Sequence, residues 1–155
     1  MMKKLVMAIT LFSVGSFAFG QSDYATEIDF YQSAYGLEKK AIVENFMELE
    51  GEESTAFWAV YEAYEAARKD IGKTRIANLN QYLEDYDGIT TDQADDVAGK
   101  MLSNRAAQEK LYKKYYGKIK KAIGAVGALQ FIELEVYLQT SISYAILETI
   151  PFIGE

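Results

Sequence analysis

The chain has 155 residues with 16 Lys and Arg against 23 Asp and Glu, a net charge of −7, and neither histidine nor cysteine. The absent thiol excludes lipid anchoring through cysteine and a disulfide scaffold. With histidine also absent, Ser-His and Cys-His catalysis, ordinary zinc sites and the Glu-x-x-His di-iron bundle are excluded too. The acidic balance argues against nucleic acid or anionic lipid as the main partner.

Residues 1–20, MMKKLVMAITLFSVGSFAFG, carry Lys3 and Lys4, then an apolar run to Phe19, then the small-x-small site Ala18-Phe19-Gly20 before Gln21. This is the pattern of a cleavable secretory signal, which implies export to the periplasm or the exterior. A retained anchor is the other reading, but the run is shorter than the roughly 20 residues a spanning helix needs. Cleavage removes two lysines and no acid, leaving 21–155 as a single all-helical domain of charge about −9.

Beyond Gln21 apolar residues recur at spacings of three, four and seven, and the single proline is Pro151. The spacing predicts an all-α fold of four antiparallel helices. The first, about 26–48, carries Ile28, Tyr31, Tyr35, Ile42, Phe46 and Leu49 on one face, and Gly51 breaks it. The second, about 52–86, is a long helix with Phe57, Tyr61, Tyr64, Ile71, Leu79, Tyr82 and Tyr86 on its stripe; it would span ~50 Å at ~1.5 Å per residue.

Asp87-Gly88 supplies a turn, and Thr90-Thr91-Asp92-Gln93 is a capping box in which Thr90 and Gln93 satisfy each other's backbone N–H groups. The third helix runs to about 122, with Val97, Met101, Leu111, Tyr112, Tyr115 and Ile119 inward, and Ile123-Gly124 ends it. The fourth, about 126–148, uses Phe131, Leu138, Ile142, Ala145 and Ile146.

Five segments carry a resemblance: FWAVYEAY, YDGITTDQA, LYKKYYGKIKKAI, FIELE and ETIPFI. The chain resembles small exported bacterial all-helical proteins that read F-W-P-x-Y-x-x-Y, L-T-x-x-Q-A, K-Y-x-x-K-x-x-K-x-L-P, R-F-x-Q-x-E and I-P-L. It departs from them at Gly124 for Pro, Gln130 for Arg and Glu133 for Gln. More remotely it is similar to the Spy/CpxP-like periplasmic family, whose L-T-x-x-Q motif is matched by Ile89-Thr90-Thr91-Asp92-Gln93. The resemblance implies a curved helical bundle and, from the remoter family, ATP-independent holding of unfolded clients. That family's metal-sensing members use ligands this chain lacks.

Asp92, Asp95 and Asp96 form D-x-x-D-D, a Mg²⁺ pattern if phosphates complete it, or simply acids complementing a helix dipole. No metal or cofactor site is expected. Helical projection places Arg68, Arg75, Asn104, Gln108 and Glu135 on inner faces and Glu38 near one. Such a polar layer either sets helix register or floors a groove, and Arg68 is expected to pair with Glu135 or Glu38.

Seven acids and no base lie between Ala41 and Ala67, while Lys110, Lys113, Lys114, Lys118, Lys120 and Lys121 crowd the end of the third helix. The topology brings both to one end, as internal complementarity or as a subunit contact. All twelve tyrosines lie after residue 20. Tyr61, Tyr64, Tyr82, Tyr112, Tyr115 and Tyr116, with Trp58 and Phe152, are candidates for a client or partner surface, or they cover the flanks of a thin bundle. Phe152 and Ile153, beyond Pro151, fold back on a helix or form an apolar hook. Two functions are expected: a non-enzymatic exported protein-binding factor, or an envelope subunit acting as a homo-oligomer.

Overall fold

A computed structural model describes residues 38–148 and 150–154; the signal and Ile28, Tyr31 and Tyr35 lie outside them. The described residues are helices joined by short turns, with α1 at 38–47, α2 at Gly51–Asp85 and α3 at Thr91–Leu147. The long second helix ends within one residue of its expected bounds. Among the described residues no helix is long and apolar enough to cross a membrane.

Among the described residues there are three helices where four were expected, the last of them kinked into two arms. The expected third and fourth belong to α3, inside which only Ile123 and Gly124 leave helical φ/ψ. The chain nevertheless reverses there. On the first arm, Tyr115 donates to the Ala63 carbonyl and Asn104 to that of Ile71, so the arm runs antiparallel to α2. On the second, Phe131 packs on Phe57, Arg75 reaches Ser143 and Tyr82 reaches Pro151, so that arm runs parallel to α2.

No linker is needed because Gly124 adopts φ 79, ψ 174, a region open essentially to glycine alone. Gly124→Ala is therefore expected to cost about 1–3 kcal/mol, read as a lower midpoint in chemical denaturation. A Cβ at this position meets no neighbouring atom within 4 Å, so the cost is backbone strain and not a clash.

The other two turns have their own local causes. Glu48, at φ 46, ends α1, and Gly51 at φ 59 opens α2 instead of merely breaking the helix before it. At the far end the expected capping box is present: Gln93 N–H donates to Thr90 Oγ1 at 3.3 Å and Thr90 N–H to Gln93 Oε1 at 2.9 Å. Gln93 also donates to Asp85 at 2.8 Å, tying the cap to the end of α2.

The core gathers at the end where α1 meets α2 and α3 reverses. Val43, Met47, Phe57, Tyr61, Tyr64, Leu111, Tyr112, Tyr115, Ile119, Ala128, Phe131 and Leu134 form it. Toward the Asp87-Gly88 turn burial thins: Ile71, Leu79, Tyr82 and Ile142 are half-buried, and Met101, expected inward, is exposed. The α1 stripe also differs from expectation. Lys39, Val43 and Met47 face in at a spacing of four, and Phe46 is 51% exposed.

Candidate functional site

Inside the core end sits a charged cluster drawn from all three helices. Lys39 of α1 is 1% exposed, and its ammonium pairs with Glu65 of α2 and Glu135 of α3. It donates to Glu135 Oε2 at 2.8 Å, while Oε1, at 2.7 Å, is in ionic contact but out of line for a hydrogen bond. Tyr64 donates its hydroxyl proton to Oε2 at 2.5 Å. Arg68 grips Glu65 with both forks, Nε and Nη2 each at 2.9 Å.

Below the ammonium lie two aromatic faces, Tyr64 at 5.0 Å and Tyr61 at 5.7 Å from ring centroid to Nζ. Buried charges are tolerated only when paired in this way. The polar layer expected at this height therefore exists, with different partners. Arg68 pairs with Glu65 and not with Glu135 or Glu38; the cation on Glu135 is Lys39; and Glu38 sits on the exposed side of α1.

The two acids are pushed in opposite directions. Burial works to raise Glu65, but the Arg68 guanidinium and the Lys39 ammonium outweigh it and hold the carboxyl below its usual range. Burial raises Glu135, and the Lys39 charge and the Tyr64 hydroxyl recover only part of that. The phenols of Tyr61 and Tyr64 are pushed far up by burial and by the neighbouring carboxylates, and Tyr112 up to about 12 by burial and Glu135. They stay protonated at neutral pH and supply no base.

The Tyr61 hydroxyl is buried without a hydrogen-bond partner among the described residues, while the Tyr112 hydroxyl and the Gln108 amide lie beside each other in poor hydrogen-bond geometry. A buried group left unpaired costs about 1–3 kcal/mol. The rest of the expected polar layer lies further down the bundle. Arg75 donates to Ser143 Oγ at 3.0 Å, with its guanidinium lowered by burial and then by Arg105, and Asn104 donates to the Ile71 carbonyl at 3.0 Å.

The tyrosine surface divides. Tyr61, Tyr64, Tyr112 and Tyr115 are core residues, closed over by α1 and the second arm, so no open groove runs along them. Trp58 and Tyr116 are half-buried on the rim, and Lys40 lies 5.2 Å from the Trp58 ring centroid. Tyr82 and Tyr86 donate their hydroxyls to the carbonyls of Pro151 and Phe152 at 2.7 and 3.1 Å. The tail is thus pinned to α2 by its backbone, while the Phe152 and Ile153 side chains stay exposed.

An open groove of about 640 Å³ lies between α2 and the first arm, lined by Asp70, Ile71, Thr74, Asn78, Asp95, Asp96, Lys100 and Asn104 among others. Lys100 pairs with Asp96 at 2.6 Å, and Gln81 donates to the same carboxylate at 3.2 Å. Among the described residues no three His, Cys, Asp or Glu are placed to hold a metal ion.

Two functional-looking residues escape a sequence reading. Glu65 reads as one more member of an acidic run, yet it stands three residues before Arg68 and one after Tyr64. Lys39 interrupts the first stripe four residues after Tyr35 and four before Val43, which is a usable signal: a cation on an apolar face needs an acid opposite. Comparison of the chain with models of known families, with curated proteins and with solved structures finds no match.

Proposed function

We propose that the protein is an exported, non-enzymatic helical factor that binds proteins or peptides without ATP, in the manner of the Spy/CpxP-like family it resembles. One observation carries the reading. Val136, Tyr137, Tyr144 and Leu147 stand exposed on the outer side of α3's second arm, the two tyrosines each 64% open to solvent. Spacings of seven and three put Tyr137, Tyr144 and Leu147 on one helical side, and Phe152 and Ile153 extend the apolar surface past Pro151.

Exposed apolar faces of this kind mark interaction sites, and tyrosine adapts to varied partners at low entropic cost. From Ala122 to the end the chain carries no lysine or arginine. The face is therefore apolar and weakly acidic, suited to extended client segments that carry apolar and basic residues. It takes the place of the tyrosine stripe of α2 as client surface, because that stripe is covered.

The chain from Gln21 onward is expected to suppress light scattering by an aggregating model client at stoichiometric amounts. The variant Tyr137→Ser/Tyr144→Ser is expected to lose most of that effect without losing helicity. No suppression by the unaltered chain would remove this function. An envelope subunit acting through self-association is the second reading, favoured by the charge distribution described next.

A further inference from the structure

At the core end the chain carries two exposed faces of opposite charge, and neither is neutralised by an ion pair among the described residues. Lys110, Lys113, Lys114, Lys118, Lys120 and Lys121 are all exposed on the first arm of α3. Among the described residues none of the six forms an ion pair; Lys114 and Lys118 only cover the Tyr115 ring, at 5.4 and 5.0 Å from its centroid. The helix dipole favours lysines in the last turn before Ile123, but its effect fades upstream and leaves Lys110, Lys113 and Lys114 unexplained.

The acidic face is formed by Glu44, Glu48, Glu50, Glu52 and Glu53 around the α1–α2 turn, all exposed. Among the described residues none of them forms an ion pair; the exposed pair of α1 and α2 joins Lys40 and Glu62. The internal complementarity that the sequence suggests is therefore not made as ion pairs among the described residues. Each face also holds exposed apolar surface: Phe46 stands among the acids, and Val126 and Leu129, 74% and 52% exposed, follow the lysines just beyond the reversal.

We propose that the acidic α1–α2 turn of one copy, with Phe46, docks against the lysine face and Val126 and Leu129 of a second copy. Both halves of the contact are written on one chain. A polyanion would use the lysines and leave the acids and Phe46 unaccounted for; a basic partner would do the reverse. The overall negative charge is no obstacle at physiological salt, where screening over ~8 Å leaves contacting patches attractive and distant charges mute. The apolar residues supply the desolvated centre such contacts need, with the charges at its rim steering approach. The inference stands apart from client binding, which uses a different stretch of the second arm.

The test is solution mass by sedimentation equilibrium on the chain from Gln21, at low and high salt. Association is expected at low salt and should weaken about tenfold or more as salt rises. Lys113→Glu/Lys114→Glu/Lys118→Glu alone should be monomeric, and so should Glu44→Lys/Glu48→Lys/Glu50→Lys alone. An equimolar mixture of the two should associate, as should one chain carrying all six changes. That last recovery also shows that the variants fold. A dimer means both faces are used at once, and a ladder of larger masses means head-to-tail contact; either supports the proposal. A monomer at low salt and high concentration overturns it, as does association indifferent to both swaps. Retention on heparin by a chain that does not self-associate also overturns it and gives the lysine face to a polyanion.

Discussion

Replacing Glu65 by glutamine is expected to cost about 3–5 kcal/mol, and replacing Glu135 only about 1 kcal/mol. Both carboxylates are buried and both touch Lys39, so their burial alone predicts similar losses. The difference lies in what each one holds. Glu65 binds two cations, Arg68 through two parallel hydrogen bonds and Lys39 through a third contact. Without its charge, Arg68 loses both of those bonds as charge-assisted contacts and Lys39 loses one of its two buried carboxylates. Glu135 is held by Lys39 and Tyr64, but burial already disfavours its ionised form. Glutamine resembles the protonated state and keeps an oxygen for the Tyr64 hydroxyl and the Lys39 ammonium. Urea denaturation of the two variants at neutral pH measures both costs, and equal or reversed losses would refute the assignment.

The same pair sets the pH dependence, with signs that oppose each other. Glu65 is depressed in the fold, so its contribution is full above its unfolded value near 4.5 and is lost as pH falls through the lower folded value. Glu135 is raised, so its contribution is full below 4.5 and is lost as pH rises through its higher folded value. Acidifying from neutral should therefore first raise stability and then lower it. Glu135→Gln should remove the rise, and Glu65→Gln should make the fall below 4.5 shallower, leaving the smaller part due to Asp96, which Lys100 also holds down.

Much of this architecture is legible in the sequence because local rules decide it. The α2 stripe of Phe57, Tyr61 and Tyr64 follows from spacing alone, and the Thr90–Gln93 cap from residue type and separation. The stop at Ile123-Gly124 and the antiparallel return after it are legible too; what is not legible is that no linker separates the two arms, because the φ of 79° at Gly124 makes the turn by itself. Whether the tyrosines line a groove or a core depends on α1, whose inner face is Lys39, Val43 and Met47 and not the more hydrophobic set that includes Phe46. Propensity and periodicity favour Phe46 inward. The ion cluster overrides them, since satisfying Lys39 turns the helix by about one residue and sends Phe46 to the surface. The position of Lys39 on the stripe signals that an acid must lie opposite, but nothing local says that the acids are Glu65 and Glu135.

Phe131→Ala is expected to cost about 3–5 kcal/mol, whereas Tyr144→Ala on the same arm should stay within about 0.5 kcal/mol. Phe131 is fully buried and meets three rings of α2: Phe57 edge-on at 5.4 Å, Tyr64 edge-on at 5.3 Å and Tyr61 at 6.1 Å. Edge-to-face pairs add about 0.5–1.5 kcal/mol beyond the area they bury, and the cavity left by the ring adds to the loss. Tyr144 has no such neighbours and leaves no cavity. The contrast matters because stability in this fold is gathered at one end. Amides near Phe57 and Phe131 should exchange only on global unfolding, and those near Leu83 and Tyr144 through local opening. An arm anchored at Phe131 and held further on by the Arg75–Ser143 bond leaves the Tyr144 ring unpacked on its outer side, where it can adjust to a partner without loss of the hold on α2. If Tyr144→Ala were as costly as Phe131→Ala, that face would be packed, and the proposed use of it as a client surface would fall.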